Sequence, residues 1–441
     1  MRFNHLTDWL NWQESLNPKA IDLGLDRVAK VLVQAGLSSS FACPLITVAG
    51  TNGKGSVVAM LEAMAMAAGL NVCSYTSPHL FQYNERIKIN GQPVADNVLC
   101  DAFDRIDQAR KTCQLTYFEF ATLAAIDIFF KQQPDLVILE VGLGGRLDAV
   151  NIMDSDVSVL TSVAIDHIDW LGDDRELIGY EKAGVFRSGK PVVCGERDVP
   201  DSVIQHAEKL NCEFMLTGRD YVPSINNVTG RWNLRSCYKN LLELTPPGLI
   251  GEFQYHNAAT AIIALQALQI KLSEQIVSTG LQQINLPGRF QRIHEKPSVY
   301  VDVAHNPQAA KALASQLKKS VQTNTKTWAI IAMLSDKDVL AVVTQLCVEI
   351  DDWCFAGLTS NARGLDAQTL FNKTADAFNE KTNEKNLCKM QNNRRLLSKT
   401  VAQACDTVLS KAKSDDRIII FGSFYTVAEA MNYFSQINLT R

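Results

Sequence analysis

The sequence predicts an α/β protein: a doubly wound, mostly parallel sheet followed by a smaller second α/β domain. Three observations lead there. The short apolar run Pro134-Asp-Leu-Val-Ile-Leu-Glu140 is continuous rather than alternating, as strands buried on both faces tend to be, and Asp156-Val-Ser-Val-Leu-Thr-Ser-Val163 reads as another strand. Helical patterns separate them, which is the signature of parallel strands joined by crossovers. The alternation then restarts after a Pro-Gly turn at Leu286-Pro-Gly-Arg-Phe290, so a domain boundary is expected near residue 295.

The chain supports each element in turn. Residues 1–40 read as helical, with Trp9, Leu10 and Trp12 early and Leu23, Val28, Val31 and Leu32 later. Asp22-Leu-Gly-Leu-Asp26 interrupts them as a loop or ligand-facing turn. Leu45 to Val48 forms a strand, and Val57 to Ala68, rich in Ala, Met and Leu, forms a helix that Gly69 stops. A strand at Asn71–Thr76 ends in Ser77-Pro-His79, and Arg86–Val94 alternates around Asn90-Gly91, a strong hairpin signal. Helices follow at Asp96–Lys111 and from Thr116 to about Lys131, and another carries Tyr180-Glu-Lys-Ala-Gly184 before the strand Pro191–Cys194. Residues 213–254 mix strand and turn signals, and helices from His256 and Ser273 lead to the boundary. Beyond it, strands are expected at Val299–Val303, Trp328–Ala332, Asp352–Phe355 and Arg417–Phe421. Thr374 to Asn393 is polar and is expected to be a mobile surface.

With 441 residues the chain exceeds one ordinary core, so two or three domains are expected. A net charge of -4 argues against a nucleic-acid-binding protein, and no apolar run is long enough to span a bilayer. The N-terminus lacks the apolar core of a signal peptide. Eleven cysteines, an odd number, are scattered without a C-x-x-C pair, which fits reduced thiols in a cytoplasmic protein.

Chemistry collects past the strand ends. Gly50-Thr-Asn-Gly-Lys-Gly-Ser56 turns a strand into a helix, so its backbone N–H groups and Lys54 suit a phosphate. It is an irregular phosphate loop: Gly50 supplies the early turn, and the hydroxyl arrives one residue late, at Ser56. The competing reading is a glycine-rich corner that binds nothing. Ser77 and His79 follow the next strand, Glu140 ends another ahead of the glycine-rich Val141–Asp148, and His167 follows a fourth. Singly these are a turn serine, a helix-capping glutamate and an ordinary histidine. Jointly they point to a divalent cation between protein and nucleotide phosphates, with imidazole leaving the metal open. Lys182, beside Glu181, reads on chemistry alone as a salt-bridged lysine. Asp302-Val-Ala-His-Asn-Pro307 offers Asp302 to ribose hydroxyls and His305-Asn306 to a ligand, while Asn306 capping a helix with Pro307 at its first position is compatible with both.

Together these motifs resemble the folylpolyglutamate synthase/dihydrofolate synthase family of the Mur ligase superfamily, over nearly the whole chain. The resemblance rests on Gly50–Ser56, Thr76-Ser-Pro-His79, Asn84-Glu-Arg86, Tyr117-Phe-Glu119, Glu140–Asp148, Asp166-His167, Glu181–Gly184, Leu286–Phe290 and Asp302–Pro307. It implies a P-loop-containing, Mur-ligase-like central domain over residues 1–295, binding ATP and the pterin. A Rossmann-like α/β domain over 296–441 would then close over ATP and bind glutamate. The implied activity is ligation of L-glutamate to dihydropteroate and to reduced folates through an acyl phosphate, with ADP and phosphate released.

The resemblance also implies roles residue by residue. Gly50, Thr51, Asn52, Gly53, Lys54, Gly55 and Ser56 would hold the ATP phosphates, with Asn257, Arg289 and Asp302 also meeting the nucleotide. Ser77, Glu140 and His167 would ligate magnesium, two sites being expected and a monovalent cation compatible. Lys182 matches a carbamylated lysine, an anion able to support a metal, and His305 a position near the incoming glutamate or the phosphoryl group. Asp22, Leu23, Gly24 and Leu25, with Thr116, Tyr117, Phe118, Glu119 and Leu147, match the pterin side of the bifunctional bacterial type. The family's Gly-Ser-Phe-His-Thr-Val pattern reads Gly422-Ser-Phe-Tyr-Thr-Val427 here. A monomer in the cytoplasm, free of membrane and nucleic acid, is expected. The alternatives are an enzyme that only extends folates, a P-loop kinase or ATPase, and a nucleotide-binding regulator without turnover.

Overall fold

In the computed structural model, which describes residues 1–17, 21–319, 325–359, 361–378 and 394–439, the chain resolves into two compact units. The first comprises Met1–Ile165, Leu171–Gly248 and Gln254–Asn285, and the second comprises Asp166–Trp170, Leu249–Phe253 and Leu286–Arg441.

The first unit is built on an eight-stranded sheet. Its strands are β1 (Leu45–Ala49), β2 (Val72–Tyr75), β3 (Ile87–Ile89), β4 (Gln92–Pro93), β5 (Leu136–Glu140), β6 (Val157–Leu160), β7 (Pro191–Cys194) and β8 (Glu213–Leu216). Their spatial order is β4-β3-β2-β5-β1-β6-β7-β8. All neighbours are parallel except at the β2–β3–β4 edge, where Asn90 and Gly91, both at positive φ, close the expected hairpin. Strands β1, β2, β5 and β6 are buried throughout, which is why their sequences do not alternate.

Helices cover the sheet. They are α1 (Leu6–Leu16), α2 (Asp26–Gln34), α3 (Lys54–Ala67), α4 (Asp96–Arg110), α5 (Tyr117–Gln132), α6 (Ile168–Leu171, shared between the units), α7 (Arg175–Ala183), α8 (Asp201–Lys209), α9 (Glu252–Ala267) and α10 (Glu274–Gln282). Trp9 and Trp12 of α1 pack on Phe103 of α4 and Phe120 of α5, with ring centroids 5.9 Å apart for both Trp9–Phe103 and Trp12–Phe120. The irregular 213–254 stretch forms β8 and then a separate antiparallel sheet, β9 (Tyr221–Ile225), β10 (Trp232–Ser236) and β11 (Leu241–Leu244), ordered β11-β10-β9.

The second unit carries a six-stranded sheet: β12 (Gln291–His294), β13 (Ser298–Asp302), β14 (Thr327–Ile331), β15 (Asp352–Ala356), β16 (Arg395–Ser398) and β17 (Arg417–Phe421), in the order β12-β13-β17-β14-β15-β16. Only β12 is antiparallel to its neighbour. Its helices are α11 (Pro307–Lys319), α12 (Val339–Leu346), α13 (Ala367–Lys373), α14 (Val401–Leu409) and α15 (Phe424–Leu439).

Two expectations need correction. Edge strands β12 and β16 escaped notice because each has four residues and none or only one of them is fully buried, so neither makes an apolar run. Because β12 pairs with β13, the chain has already joined the second sheet before residue 295. Thr374, Ala377 and Phe378 are buried rather than on a mobile surface, since a single turn there tucks its apolar side into the core; residues 379–393 lie outside the described residues.

Helix α3 is held by α10 through Gly280, where a Cβ would come 2.7 Å from the Cα of Met64. A glycine inside a helix normally costs stability, so close packing is its reason here. Gly280→Ala should therefore lower unfolding stability by about 1–3 kcal/mol, read from the midpoint of urea unfolding, although alanine is the better helix former.

Candidate functional site

The site begins where β1 ends. This strand lies between β5 and β6, so its carboxyl end opens at the middle of the sheet, where open α/β sheets place ligands. Gly50 leaves the strand at φ 144°, and a Cβ there would stand 1.9 Å from Thr161 Oγ1, so no other residue fits. The next residues are sewn to β6: Thr51 N donates to Ser162 O at 2.8 Å, Asn52 N to Ser162 Oγ at 2.9 Å, and Thr161 Oγ1 to Asn52 O at 2.7 Å.

Gly53, at φ 87°, starts α3 in the left-handed region and caps it with no side chain. The first backbone N–H groups of α3, from Lys54, Gly55 and the buried Ser56, therefore form an anion-binding terminus. Asn257 of α9 stands against this turn, its Oδ1 3.0 Å from where a Gly53 Cβ would be. Lys54 folds back across the loop, its Nζ donating to Gly50 O at 3.0 Å and Thr51 O at 3.3 Å.

Strands β2 and β5 are parallel neighbours, so Ser77 and Glu140 meet just past their ends: Ser77 N donates to Glu140 Oε2 at 3.1 Å. The Glu140 carboxyl is buried, and with the Ser77 hydroxyl it offers the hard oxygen donors that magnesium takes. Among the described residues, no three His, Cys, Asp or Glu side chains converge as a metal centre.

After β5 the glycine-rich stretch 141–148 contains Leu147 and lies against Phe118 and Lys182. Phe118 lies over Gly142, where a Cβ would come 2.5 Å from its ring, and Thr116 and Glu119 form a capping box at the start of α5. Leu147 is part-exposed in the same loop. Gly145 rests on the backbone of α7 at Glu181 and Lys182, and Arg146 pairs with Glu181 at 2.8 Å. Lys182 is thus buried behind the loop, and the carboxylate of Glu181 is engaged by Arg146. Asp22, Leu23, Gly24 and Leu25 are part-exposed ahead of α2.

Asp148 is a residue that motif reading left without a role. Its carboxylate accepts from Leu143 N at 2.8 Å and Val150 N at 3.0 Å, tying the loop into a closed turn. Burial pushes its carboxyl up from 3.8 to about 6, against these hydrogen bonds and the charge of Lys54. His79 accepts from Arg86 Nε at 2.9 Å, and burial beside that guanidinium lowers its imidazole to about 4, so it is neutral near pH 7.

The remaining expected residues lie in the second unit. His167, at φ 54°, follows Asp166, which is the hub: Lys337 Nζ lies 2.5 Å from Asp166 Oδ1, Asn306 Nδ2 3.1 Å and His305 Nε2 3.4 Å from Oδ2. Burial would raise the Asp166 carboxyl, but His305, Lys337 and His167 hold it well below the usual carboxylate range. Asn306 also caps α11 through Ala309 N at 3.0 Å. Lys337 was missed, though Ser335-Asp-Lys-Asp338 follows β14 as other polar groups follow other strands. Asp302 binds Phe290 N and Ala304 N, each at 2.8 Å; burial raises its carboxyl despite Arg289 nearby. Arg289 also stacks on Phe424, 5.2 Å from the ring. Tyr425 is half-exposed.

Comparison with known proteins identifies the family. Residues 48–265 match the Mur ligase middle domain, and residues 288–424 match the glutamate ligase domain of Mur ligases. The dihydrofolate synthase/folylpolyglutamate synthase of Escherichia coli K12 is 41% identical over 97% of this chain and 94% of its own length. This chain belongs to that family. The structure of E. coli FolC in complex with DHPP and ADP superposes with a TM-score of 0.89 at 40% identity, covering 99% of each chain. A bifunctional folylpolyglutamate synthase/dihydrofolate synthase with Mn, AMPPNP and L-glutamate bound superposes with a TM-score of 0.86 at 39% identity, covering 98% of each.

The buried Asp148 gives a signed pH effect. Because its folded carboxyl is raised, its contribution to stability is present below about pH 4 and is lost as pH rises through about 6, roughly 3 kcal/mol in all. The wild-type chain should therefore lose stability relative to Asp148→Asn between about pH 4 and pH 7, measured as the difference between their urea unfolding curves.

Proposed function

We propose that this chain is an ATP-dependent carboxylate–amine ligase that adds L-glutamate to dihydropteroate, forming dihydrofolate, and to reduced folates that already carry glutamate. The observation that carries the reading is the turn after β1, where steric contact compels glycine at 50 and positive φ favours it at 53, leaving backbone donors of α3 to a phosphate. Relatives named for both activities match nearly the whole chain.

A carboxylate is a poor acyl donor, so its oxygen first attacks the γ-phosphorus of ATP as the bond to the ADP oxygen breaks. The glutamate amine then attacks the acyl phosphate, loses a proton, and expels phosphate to leave an amide. Gly50, Thr51, Asn52, Gly53, Lys54, Gly55 and Ser56 hold the phosphates, and Lys54 offsets the charge that gathers on the transferred group. Asn257, Arg289 and Asp302 contact the nucleotide. Ser77, Glu140 and His167 would hold magnesium, which when bound neutralises phosphate oxygens. His305 serves the incoming glutamate or the phosphoryl group, within the second unit, which binds glutamate.

The pterin side is assigned to Asp22–Leu25, Thr116–Glu119 and Leu147, where the part-exposed Leu23, Leu25, Tyr117, Phe118 and Leu147 suit a flat heterocycle and Thr116 and Glu119 are buried beneath them. Lys182, buried behind the glycine-rich loop, would carry a carbamate, an anion able to support the metal. Among the described residues, no helix is long and apolar enough to cross a membrane. A cytoplasmic monomer is our reading.

ADP release with dihydropteroate or a reduced folate, each with and without L-glutamate, tests the reaction. Full phosphate release should need both carboxylate and amine; a stable phosphorylated product formed without glutamate would mean a kinase instead. Lys54→Ala should reduce kcat by about a hundredfold or more, since a clamping charge acts mainly in the transition state. Lys182→Ala should be largely inactive and regain turnover on adding short carboxylates such as formate or acetate; no rescue would remove the carbamate.

A further inference from the structure

Arg27, in the first turn of α2, touches both segments assigned to the pterin side. Its Nη1 lies 2.9 Å from Asp22 Oδ2, and its Nη2 donates to Asp22 O at 2.5 Å and to Glu119 Oε1 at 3.0 Å. The other oxygen of Glu119 is engaged too: Oε2 accepts from Thr116 N at 2.7 Å, and Thr116 Oγ1 in turn accepts from Glu119 N at 3.2 Å. One guanidinium therefore joins the loop 22–25 to the capping box that aims Tyr117 and Phe118. The two segments are otherwise 92 residues apart along the chain at this contact.

The contact has the character of a clamp rather than of a saturated folding bridge. Glu119 is buried, while Asp22 and Arg27 keep about a quarter to a third of their side chains exposed. The Nε–H of Arg27 is buried with no acceptor among the described residues. Loop 22–25 has no regular structure of its own, and Gly24 has open space around it, so Arg27 supplies its tether. Lysine reproduces this geometry only in part, because its compact ammonium keeps the charge but lacks the rigid planar fork that meets Asp22 and Glu119 at once.

We propose that Arg27 is a positioning residue for the pterin-bearing substrate: it sets the separation between loop 22–25 and the start of α5, and so decides how well the heterocycle is held. This rests on assigning those two segments to the pterin. The test is steady-state kinetics of Arg27→Met, Arg27→Lys and Asp22→Asn, with KM measured separately for dihydropteroate, ATP and L-glutamate. Phe118→Ala serves as a control on the segment itself, and a thermal melt is recorded for each variant.

Arg27→Met should raise KM for dihydropteroate about tenfold with KM for ATP and glutamate changed less than twofold; Arg27→Lys and Asp22→Asn should show the same selectivity with a smaller rise. A dihydropteroate KM that responds to Phe118→Ala but not to Arg27→Met or Asp22→Asn overturns the clamp. A dihydropteroate KM indifferent to Phe118→Ala overturns the assignment of the segment instead. Equal changes in all three KM values, together with a lowered melt in both Arg27→Met and Asp22→Asn, would make the contact merely structural and also overturn the proposal.

Discussion

The first unit depends on how closely the backbone at Gly50 passes Thr161. A Cβ at that point would lie 1.9 Å from the threonine hydroxyl, so the chain can leave β1 on this path only as glycine. That approach lets Thr51 and Asn52 hydrogen-bond to the end of β6, which fixes the turn before any ligand arrives. Gly53 then enters α3 from the left-handed region, and the first N–H groups of the helix face outward as a group. Preorganisation of this kind matters for phosphoryl transfer, because donors already in place need no rearrangement as charge develops.

Around this turn the molecule spends buried polar groups on shape. Asp148 is held in an enclosed setting that disfavours its charge, yet its two oxygens close the 141–148 loop on Leu143 and Val150. Gly142 and Gly145 let that loop lie against Phe118 on one side and the backbone of α7 on the other, so the start of α5 and Lys182 take their places from one turn. In the second unit Asp166 plays a comparable part, drawing Lys337, His305 and Asn306 to one carboxylate. In both cases a buried acid organises its neighbours by giving several donors one shared acceptor.

Much of this was legible in the sequence, and for identifiable reasons. Central strands buried on both faces are largely apolar, so β1, β5 and β6 declared themselves. Glycines compelled by close approach also show, as in Gly50–Ser56. The edge strands β12 and β16 did not, because a strand with one wet face and four residues has too few apolar positions to form a pattern. Lys337 and Arg27 were silent for another reason: a lysine or arginine near a turn is ordinary, and only its partner makes it particular.

Local sequence thus determined the elements, the phosphate-binding turn and the set of polar residues placed past strand ends, since each follows from burial or backbone sterics within a few residues. Only the tertiary structure decided which of those residues meet. Ser77 reaches Glu140 because β2 and β5 are neighbours in space, Asn257 reaches Gly53 across two hundred residues of chain, and Arg27 joins Asp22 to Glu119. Such contacts depend on strand order and helix docking, which are properties of the whole packed chain and leave no signature at either residue.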